Sequence, residues 1–226
     1  MSDHREGERA AVGATTTTQG EQRVFLGDVR WETFEALLDD LGDARGRLAY
    51  DQGLLEIMSP SSDHESVKGL LGHLVEALAE ELAIPIRTVG ATTLKRADQQ
   101  RAVEADESYY VGEHARGPRP FELDLMRDPP PDLVIEVDIA RSSRTRLGID
   151  EALGVPEVWL WSGDRLQVLR LEASGKYVEG QTSQAFPMLP IAGLERFIVR
   201  RREADDTTLA REFRAWVRRL SSGASE

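Results

Sequence analysis

Apolar residues recur at helical spacing in three stretches of the chain. The first is "WETFEALLDDLGD", which stops at Gly42, and the longest runs from about Asp63 to Ala83 with a continuous stripe of leucine and valine. The third extends from Leu209 to Leu220 near the end of the chain. Such stripes predict amphipathic helices packed on a core. A shorter helix that ends at a glycine is predicted in "SRTRLGIDEALG".

Short apolar runs bounded by turn residues lie between these helices. "RLAYDQGLLEIMSP" predicts a hairpin around residues 51–53, and "RLQVLRLE" with "KYVEG" predicts another around residues 173–175. "VPEVWLW" predicts a strand, "IPIRTVGATTLKR" a strand or a strand pair broken at Gly90, and "VEADESYYVGE" a strand at a sheet edge. The order of helix, strands, helix and strand indicates an α/β fold with a mixed sheet.

The start of the longest helix carries a charged and polar cluster of its own. Ser62 is followed three residues later by Glu65, which predicts a capping box. On a helical wheel Glu65 lies away from the leucine stripe, while His64 lies nearer to it. Glu65 is therefore a candidate capping residue whose side chain lies off the apolar face.

One predicted strand mixes carboxylates with apolar residues. In "PDLVIEVDIARSSRTR", which follows three consecutive prolines, residues 133–139 are predicted to form a short buried strand. Alternate residues of a strand share a face, so Asp132, Glu136 and Asp138 point in the same direction. Burying a carboxylate is costly unless a cation or a metal compensates its charge. These acids therefore need partners.

Two kinds of partner would satisfy Glu136. Hard divalent cations prefer oxygen ligands, and Asp106, which opens the strand in "VEADESYY", could hold one ion together with Glu136. The alternative is a buried ion pair with Arg144 or Arg146 that holds the sheet to the next helix. For Asp106 the alternative is a solvated turn, since "EADES" is also typical of exposed loops.

Composition restricts the classes of function. The chain has 226 residues, no cysteine and a formal net charge of −12. It is long enough for one substantial core, and the longest apolar run falls short of the roughly 18 residues that a membrane helix needs. The polar start "MSDHREGERA" carries no secretory signal, so we expect a cytoplasmic protein. The negative charge confines any nucleic-acid contact to a local basic patch.

Four segments, taken in order, resemble a known family. They are "LAYDQGLLEIMSPSSDHES", "EADESYY", "PDLVIEVDI" and "ALGVPEVWLW". Together they resemble the Uma-type (Uma two) family of bacterial endonucleases, which is assigned to the PD-(D/E)XK restriction-endonuclease-like fold. The resemblance covers roughly residues 22–190, and its joint order and spacing make it specific.

The resemblance gives the expected domain plan. Residues 21–203 are expected to form a restriction-endonuclease-like core: a mixed central sheet flanked by helices, with an N-terminal helix and hairpin. Residues 204–226 are expected to form a C-terminal amphipathic helix and tail. Residues 1–20, which include "ATTTTQGEQ" in part, lack apolar periodicity and are expected to be a disordered tail.

The resemblance also implies site residues. Asp106 and Glu136 fall where the family binds its metal, Mg²⁺ or Mn²⁺. The family's His-Glu pair falls on His64 and Glu65, which implies a catalytic role for Glu65 and a positioning role for His64. Because they share the strand face of Glu136, Asp132 and Asp138 are candidate accessory ligands.

The chain departs from the family pattern at the catalytic lysine. The fold's usual lysine, two places beyond the glutamate, is replaced here by Asp138. The family commonly carries that lysine eight residues before the glycine of "GVPE", where this chain has Arg146. Arginine stays charged and cannot serve as a general base, although it can stabilise charge on a transferring phosphate. The nearest other candidate cations are Lys95 and Arg96.

The leading hypothesis is a Mg²⁺-dependent DNA endonuclease with Arg146 in the lysine position. Arg141 and Arg144 are predicted to hold the DNA backbone, and a symmetric homodimer would double these contacts. The alternative is a catalytically inactive protein that uses the same fold to bind DNA or a protein partner. A glycosidase with paired carboxylates is disfavoured, since only 6% of the chain is aromatic.

Overall fold

The computed structural model describes residues 14–18, 20–42, 46–117, 123–139 and 144–223. The helices in these residues are α1 (Trp31–Leu41), α2 (Ser62–Glu81), α3 (Glu113–Arg116), α4 (Arg144–Leu153), α5 (Ile191–Val199) and α6 (Asp206–Ser221). The strands are β1 (Ala14–Thr18), β2 (Glu21–Leu26), β3 (Arg47–Asp51), β4 (Leu54–Ser59), β5 (Ile86–Thr88), β6 (Thr93–Arg96), β7 (Arg101–Glu104), β8 (Glu107–Val111), β9 (Leu133–Val137), β10 (Glu157–Ser162), β11 (Arg165–Leu171) and β12 (Tyr177–Gly180). None of the helices in this part of the chain is long and apolar enough to cross a bilayer.

The strands form two sheets of six. The N-terminal sheet has the order β1-β2-β4-β3-β7-β6, and all of its pairings are antiparallel. The central sheet has the order β12-β11-β10-β9-β8-β5. It is mixed, since β9 and β10 are parallel and its other pairings are antiparallel. The α/β fold predicted from the sequence is confirmed, with a second, antiparallel sheet beside the mixed one.

The two faces of the central sheet pack against different partners. One face, with Leu133, Ile135 and Val137 of β9, lies in a core with the apolar residues of α2, α5 and α6. The opposite face, with Val134, meets α4 and apolar residues of the N-terminal sheet. The two-faced strand predicted at residues 133–139 is present as β9 over Leu133–Val137, and Asp138 and Ile139 follow its end. Glu136 shares the face of Val134, so its side chain points toward α4 and the N-terminal sheet.

Turn residues end the elements where the sequence predicted. The β3–β4 hairpin turns at Gln52 and Gly53, whose φ angles of 47° and 104° suit a two-residue turn with the twist of paired strands. Helix α1 ends at Gly42 and α4 is followed by Gly154, both with positive φ. Gly90, also with positive φ, separates β5 from β6, and these two strands enter different sheets.

The N-terminal residues differ from the sequence-based prediction. Residues 14–18, expected in a disordered tail, form β1, and the unpredicted strand β2 pairs with both β1 and β4. The inward residues of β2 are Glu21 and Arg23, so the charged face is buried. Strands are predicted from an apolar face that becomes buried, and the buried face of β2 is charged, so the sequence pattern did not predict it. Helix α5 was also not predicted.

Two further predictions require correction. The segment "VEADESYYVGE" does not form a sheet edge, because β7 lies between β3 and β6 and β8 lies between β9 and β5. The N-cap of α2 is Ser61 rather than Ser62, and its hydroxyl accepts a hydrogen bond from the backbone N–H of His64. The predicted capping box of Ser62 and Glu65 is therefore shifted by one residue and is not formed.

Candidate active site

Charged side chains converge where the two sheets meet the start of α2 and the inner face of α4. The chain passes from β7 in the N-terminal sheet to β8 in the central sheet through Ala105 and Asp106, so Asp106 lies at the crossing. We call this group the buried charge cluster. Its members are Glu21, Arg23, Glu56, His64, Asp106, Glu136, Asp138, Arg146 and Asp150, all buried.

Asp106 is the best-bonded member of the cluster. Its side chain is fully buried; Oδ1 lies 2.9 Å from His64 Nε2 and 3.3 Å from Arg47 Nε. Oδ2 accepts a hydrogen bond of 2.8 Å from the backbone N–H of Val137. Burial acts to raise the pKa of this carboxyl, but the His64 hydrogen bond, the charges of His64 and Arg146, and the Val137 amide together lower it. Asp106 is therefore held ionised beside β9.

His64 joins two carboxylates. Its Nδ1 lies 2.8 Å from Glu21 Oε1, and its Nε2 faces Asp106 on the other side of the ring. Burial acts to lower the pKa of His64, but the hydrogen bonds to Asp106 and Glu21 outweigh it and raise the pKa to about 9. The ring is therefore protonated at neutral pH and donates from both nitrogens. The positioning role predicted for His64 agrees with this geometry.

Glu136 forms a buried ion pair with Arg146. Arg146 Nε donates to Glu136 Oε2 at 3.0 Å, and its Nη2 donates to the backbone carbonyl of Glu104. Burial raises the pKa of Glu136 to about 7, against the attraction of Arg146. The carboxylates around Arg146 in turn raise the pKa of Arg146. Glu136 Oε1 and Arg146 Nη1 have no hydrogen-bond partner among the described residues. The ion pair predicted as one alternative for Glu136 is thus present, with Arg146.

Arg23 ties β2 to the rest of the cluster. Its Nη1 donates to Glu56 Oε1 at 2.5 Å, and its Nη2 lies 3.3 Å from Glu21 and 3.4 Å from Asp138. Asp138, a predicted accessory residue, is therefore part of the cluster through Arg23. Sequence reasoning missed Glu21, Arg23 and Glu56. The available signal was the position of these charges inside β-forming segments, "EQRVFL" and "LLEIM".

Asp150 is a buried acid that sequence reasoning also missed. It follows Arg146 by one turn of α4, and neither of its carboxylate oxygens has a hydrogen-bond partner in the described part of the chain. Burial, then the charge of Glu136, raise the pKa of Asp150 well above its usual range, and Arg146 opposes this effect. Burial therefore favours the protonated form of Asp150 more than that of an exposed aspartate.

The structure does not place Glu65 and Asp132 in the cluster. The Glu65 side chain is 47% exposed and lies 3.7 Å from Lys68 and 3.8 Å from Arg47. Asp132 accepts from the backbone N–H of Val111 at 2.7 Å and lies 2.7 Å from His114 Nδ1. Asp132 shares a strand face with Glu136, but four residues of strand separate them by about 13 Å. The structure therefore places Asp132, a predicted accessory residue, outside the buried charge cluster.

The other predicted cations lie outside the cluster or outside the described residues. Lys95 and Arg96 lie at the end of β6. Lys95 pairs with Glu35 at 3.1 Å, and Arg96 pairs with Asp98 at 2.7 Å. Neither therefore replaces the absent lysine. Arg144 is the first residue of α4, but its side chain is not among the described ones. Arg141 lies outside the described residues.

The donor atoms of the cluster suit a hard cation in their chemistry. Glu136 Oε1 and both carboxylate oxygens of Asp150 are buried without donors among the described residues, and such oxygens are the ligands that Mg²⁺ prefers. Among the described residues, however, no three His, Asp or Glu side chains are grouped as a metal site. Mg²⁺ is commonly held by only one or two carboxylates together with water and substrate oxygens. Asp106 and Glu136 fit such a two-carboxylate site.

The fold of the protein is similar to that of a solved structure. A crystal structure described as "a putative nuclease belonging to DUF820" from Anabaena variabilis has a similar fold, with a TM-score of 0.52 and 16% sequence identity. The match covers 75% of this chain and 99% of that one. The chain therefore shares the α/β fold of that structure.

The family assignment is narrower. The profile of the Uma2 family, described as "Putative restriction endonuclease", matches residues 31–200. This segment is more than half of the chain, and the protein belongs to that family. The resemblance drawn from the sequence is confirmed. Among curated proteins, none matches the chain.

Proposed function

We propose that the protein is a nuclease that hydrolyses DNA phosphodiester bonds with a divalent metal, Mg²⁺ or Mn²⁺, held by Asp106 and Glu136. One observation carries the proposal: the hydrogen bond from Val137 N–H to Asp106 Oδ2. Val137 is the residue after Glu136, so this bond holds the acid of the sheet crossing beside the acid of β9. Membership of a family described as nucleases supports the same reaction.

The chain's own residues have distinct roles in this proposal. When bound, the metal would lower the pKa of a water molecule and neutralise the scissile phosphate. His64 fixes the orientation of Asp106, and Arg146 fixes that of Glu136 through Oε2 while leaving Oε1 available. Because its guanidinium stays charged, Arg146 can stabilise negative charge on the phosphate but cannot remove a proton from water.

The arginines after β9 are proposed to contact the DNA backbone. Arg144 begins α4, two residues before Arg146, and Arg141 precedes it in the same segment. Guanidinium groups pair with phosphate through charge-assisted hydrogen bonds, so this segment could hold the strand beside Glu136. The proposal needs only a local basic patch, in keeping with the net charge of −12.

A specific observation favours a second function, that of a catalytically inactive binding protein. Arg146 is 2% exposed and already neutralises Glu136, and Asp106 is fully buried. A phosphate cannot reach these groups unless the cluster opens. In this alternative the guanidinium of Arg146 takes the place of the metal as the cation that compensates Glu136, and the fold binds DNA or a protein partner without cleaving it.

Cleavage and metal binding distinguish the two functions. Supercoiled plasmid is incubated with the protein in EDTA, Mg²⁺ or Mn²⁺, and Mn²⁺ binding is measured by calorimetry. We expect metal-dependent nicking, and loss of both nicking and Mn²⁺ binding in Glu136→Gln, which keeps the shape of the side chain. Glu172→Gln, which removes the charge of an exposed acid, is the matched control.

Different results would contradict the metal site and support the inactive alternative. Mn²⁺ binding that persists undiminished in Glu136→Gln contradicts the assigned metal site. Binding of DNA without nicking under any metal condition, by a folded wild-type protein, supports the inactive alternative.

A further inference from the structure

Helices α5 and α6 line a pocket that shares no residue with the buried charge cluster. Its volume is about 450 Å³, within the range of pockets that hold small ligands. Apolar and aromatic residues, Phe197, Ala215 and Trp216, form part of its lining. Its charged lining residues are Arg196, Arg200, Glu212 and Arg219.

The pocket depends on a close approach of the two helices. Gly193 of α5 lies against the indole of Trp216, and a Cβ atom at this position would come within 2.2 Å of the ring. Phe197 and Trp216 pack with their ring centroids 5.6 Å apart, and both are largely buried. The ring edges that remain therefore form a fixed apolar floor.

Two arginines of α6 lie beside α2. Toward α2, Arg214 pairs with Glu80 at 2.5 Å and Arg218 pairs with Glu81 at 2.7 Å. These charges are neutralised within the helix pair. They hold α6 against α2 and leave little charge for a ligand.

The arginines that line the pocket are only partly paired with acids. Arg200 pairs with Glu212 at 2.7 Å, but Arg196 and Arg219 are exposed and form no ion pair with the described residues. A protein with 40 acidic residues and 28 basic ones thus leaves two guanidinium groups beside one apolar floor with no ion-pair partner among the described residues. This arrangement is complementary to an anion that also carries an apolar, flat group.

We propose that this pocket binds single-stranded nucleic acid, with Arg196 and Arg219 on the phosphates and a base against the floor of Phe197 and Trp216. The bases of a single strand are accessible, whereas a duplex hides their faces in the stack. The inference deepens the proposed function by naming where a strand outside the cluster is held. It rests on that function only for the choice of nucleic acid as the anion.

The test is fluorescence anisotropy of a labelled oligothymidine in EDTA, where cleavage is absent, across a series of salt concentrations. Arg196→Glu with Arg219→Glu should raise Kd on the order of 10-fold or more at low salt. Loss of two phosphate contacts should also flatten the slope of log affinity against log salt by about 1.4, since each contact on a single strand contributes about 0.7. An abasic strand of equal length should bind the wild type more weakly, because the floor then has no base.

The matched control reverses two arginines that lie on other elements, Arg96→Glu with Arg116→Glu, and should bind like the wild type. Circular dichroism checks that each variant is folded. Equal weakening by both pairs of reversals would mean that only net charge matters and would overturn the pocket site. Equal competition by polyglutamate would overturn recognition of nucleic acid.

The two proposals fail separately. A wild type that binds the oligonucleotide through the pocket but nicks no plasmid contradicts the nuclease proposal and leaves the pocket site standing. A wild type that nicks plasmid but does not bind the oligonucleotide contradicts the pocket site alone.

Discussion

Replacing Arg146 by methionine tests the energetics of the buried charge cluster. Methionine retains an unbranched apolar side chain and removes only the guanidinium, which donates to Glu136 and to the carbonyl of Glu104. Glu136 then stays buried without its cation. Breaking a buried pair in this way typically costs about 3–5 kcal/mol. Since domains of this kind are stable by about 5–15 kcal/mol, Arg146→Met should remove about a fifth or more of the free energy of unfolding.

The assay is urea unfolding at pH 8 in EDTA, with linear extrapolation to water. The double variant Arg146→Met with Glu136→Gln removes both charges and should recover part of the loss, with an interaction energy of about 2 kcal/mol or more. At pH 5.5 the cost of the single substitution should shrink, because Glu136, whose pKa is about 7, is then protonated. A cost below about 1 kcal/mol at pH 8, or one that does not change with pH, would refute the assignment of this ion pair as structural.

Two further predictions concern catalysis and pH. Arg146→Lys should speed plasmid nicking on the order of 10-fold or more, because a lysine amine can lose its proton where a guanidinium cannot; slower nicking than in the wild type would show that arginine is the adapted residue. The pKa of His64 is raised from 6.5 to about 9 in the folded state, so its contribution to stability is complete below pH 6.5 and is lost as the pH rises to 9. This contribution is on the order of 3 kcal/mol, and urea unfolding in EDTA should show a flatter pH dependence for His64→Gln; identical pH profiles would contradict it.

Local pattern was sufficient for the elements that carry apolar stripes. The two-faced strand of β9 could be predicted because its apolar residues alternate, and α4 could be placed between a polar segment and Gly154. The neighbourhood of Asp106 and Glu136 came from the family resemblance, since no local pattern shows that two sheets meet at residue 106. The prediction of Arg146 as a site residue also came from the resemblance, through its position eight residues before the glycine of "GVPE".

The other members of the buried charge cluster are brought together by contacts between residues that are far apart in the sequence. Glu21 and Arg23 face inward from β2, against the usual apolar rule, and their partners His64 and Glu56 lie more than thirty residues away. Asp132 lies outside the cluster for a different reason: residues on one face of a strand can lie at opposite ends of it. A shared face therefore predicts a direction, and it does not predict a shared site.

The position of β2 has a consequence for how this protein can be divided. The family profile begins at residue 31, yet Arg23 satisfies Glu56 and Asp138 from outside that segment. A chain shortened to residues 31–200 would leave these acids buried without their guanidinium. It would also strip α2 of the aromatic residues of α6. The span recognisable by homology thus leaves out contacts that stabilise the fold, so we expect a shortened chain to need both β2 and α6.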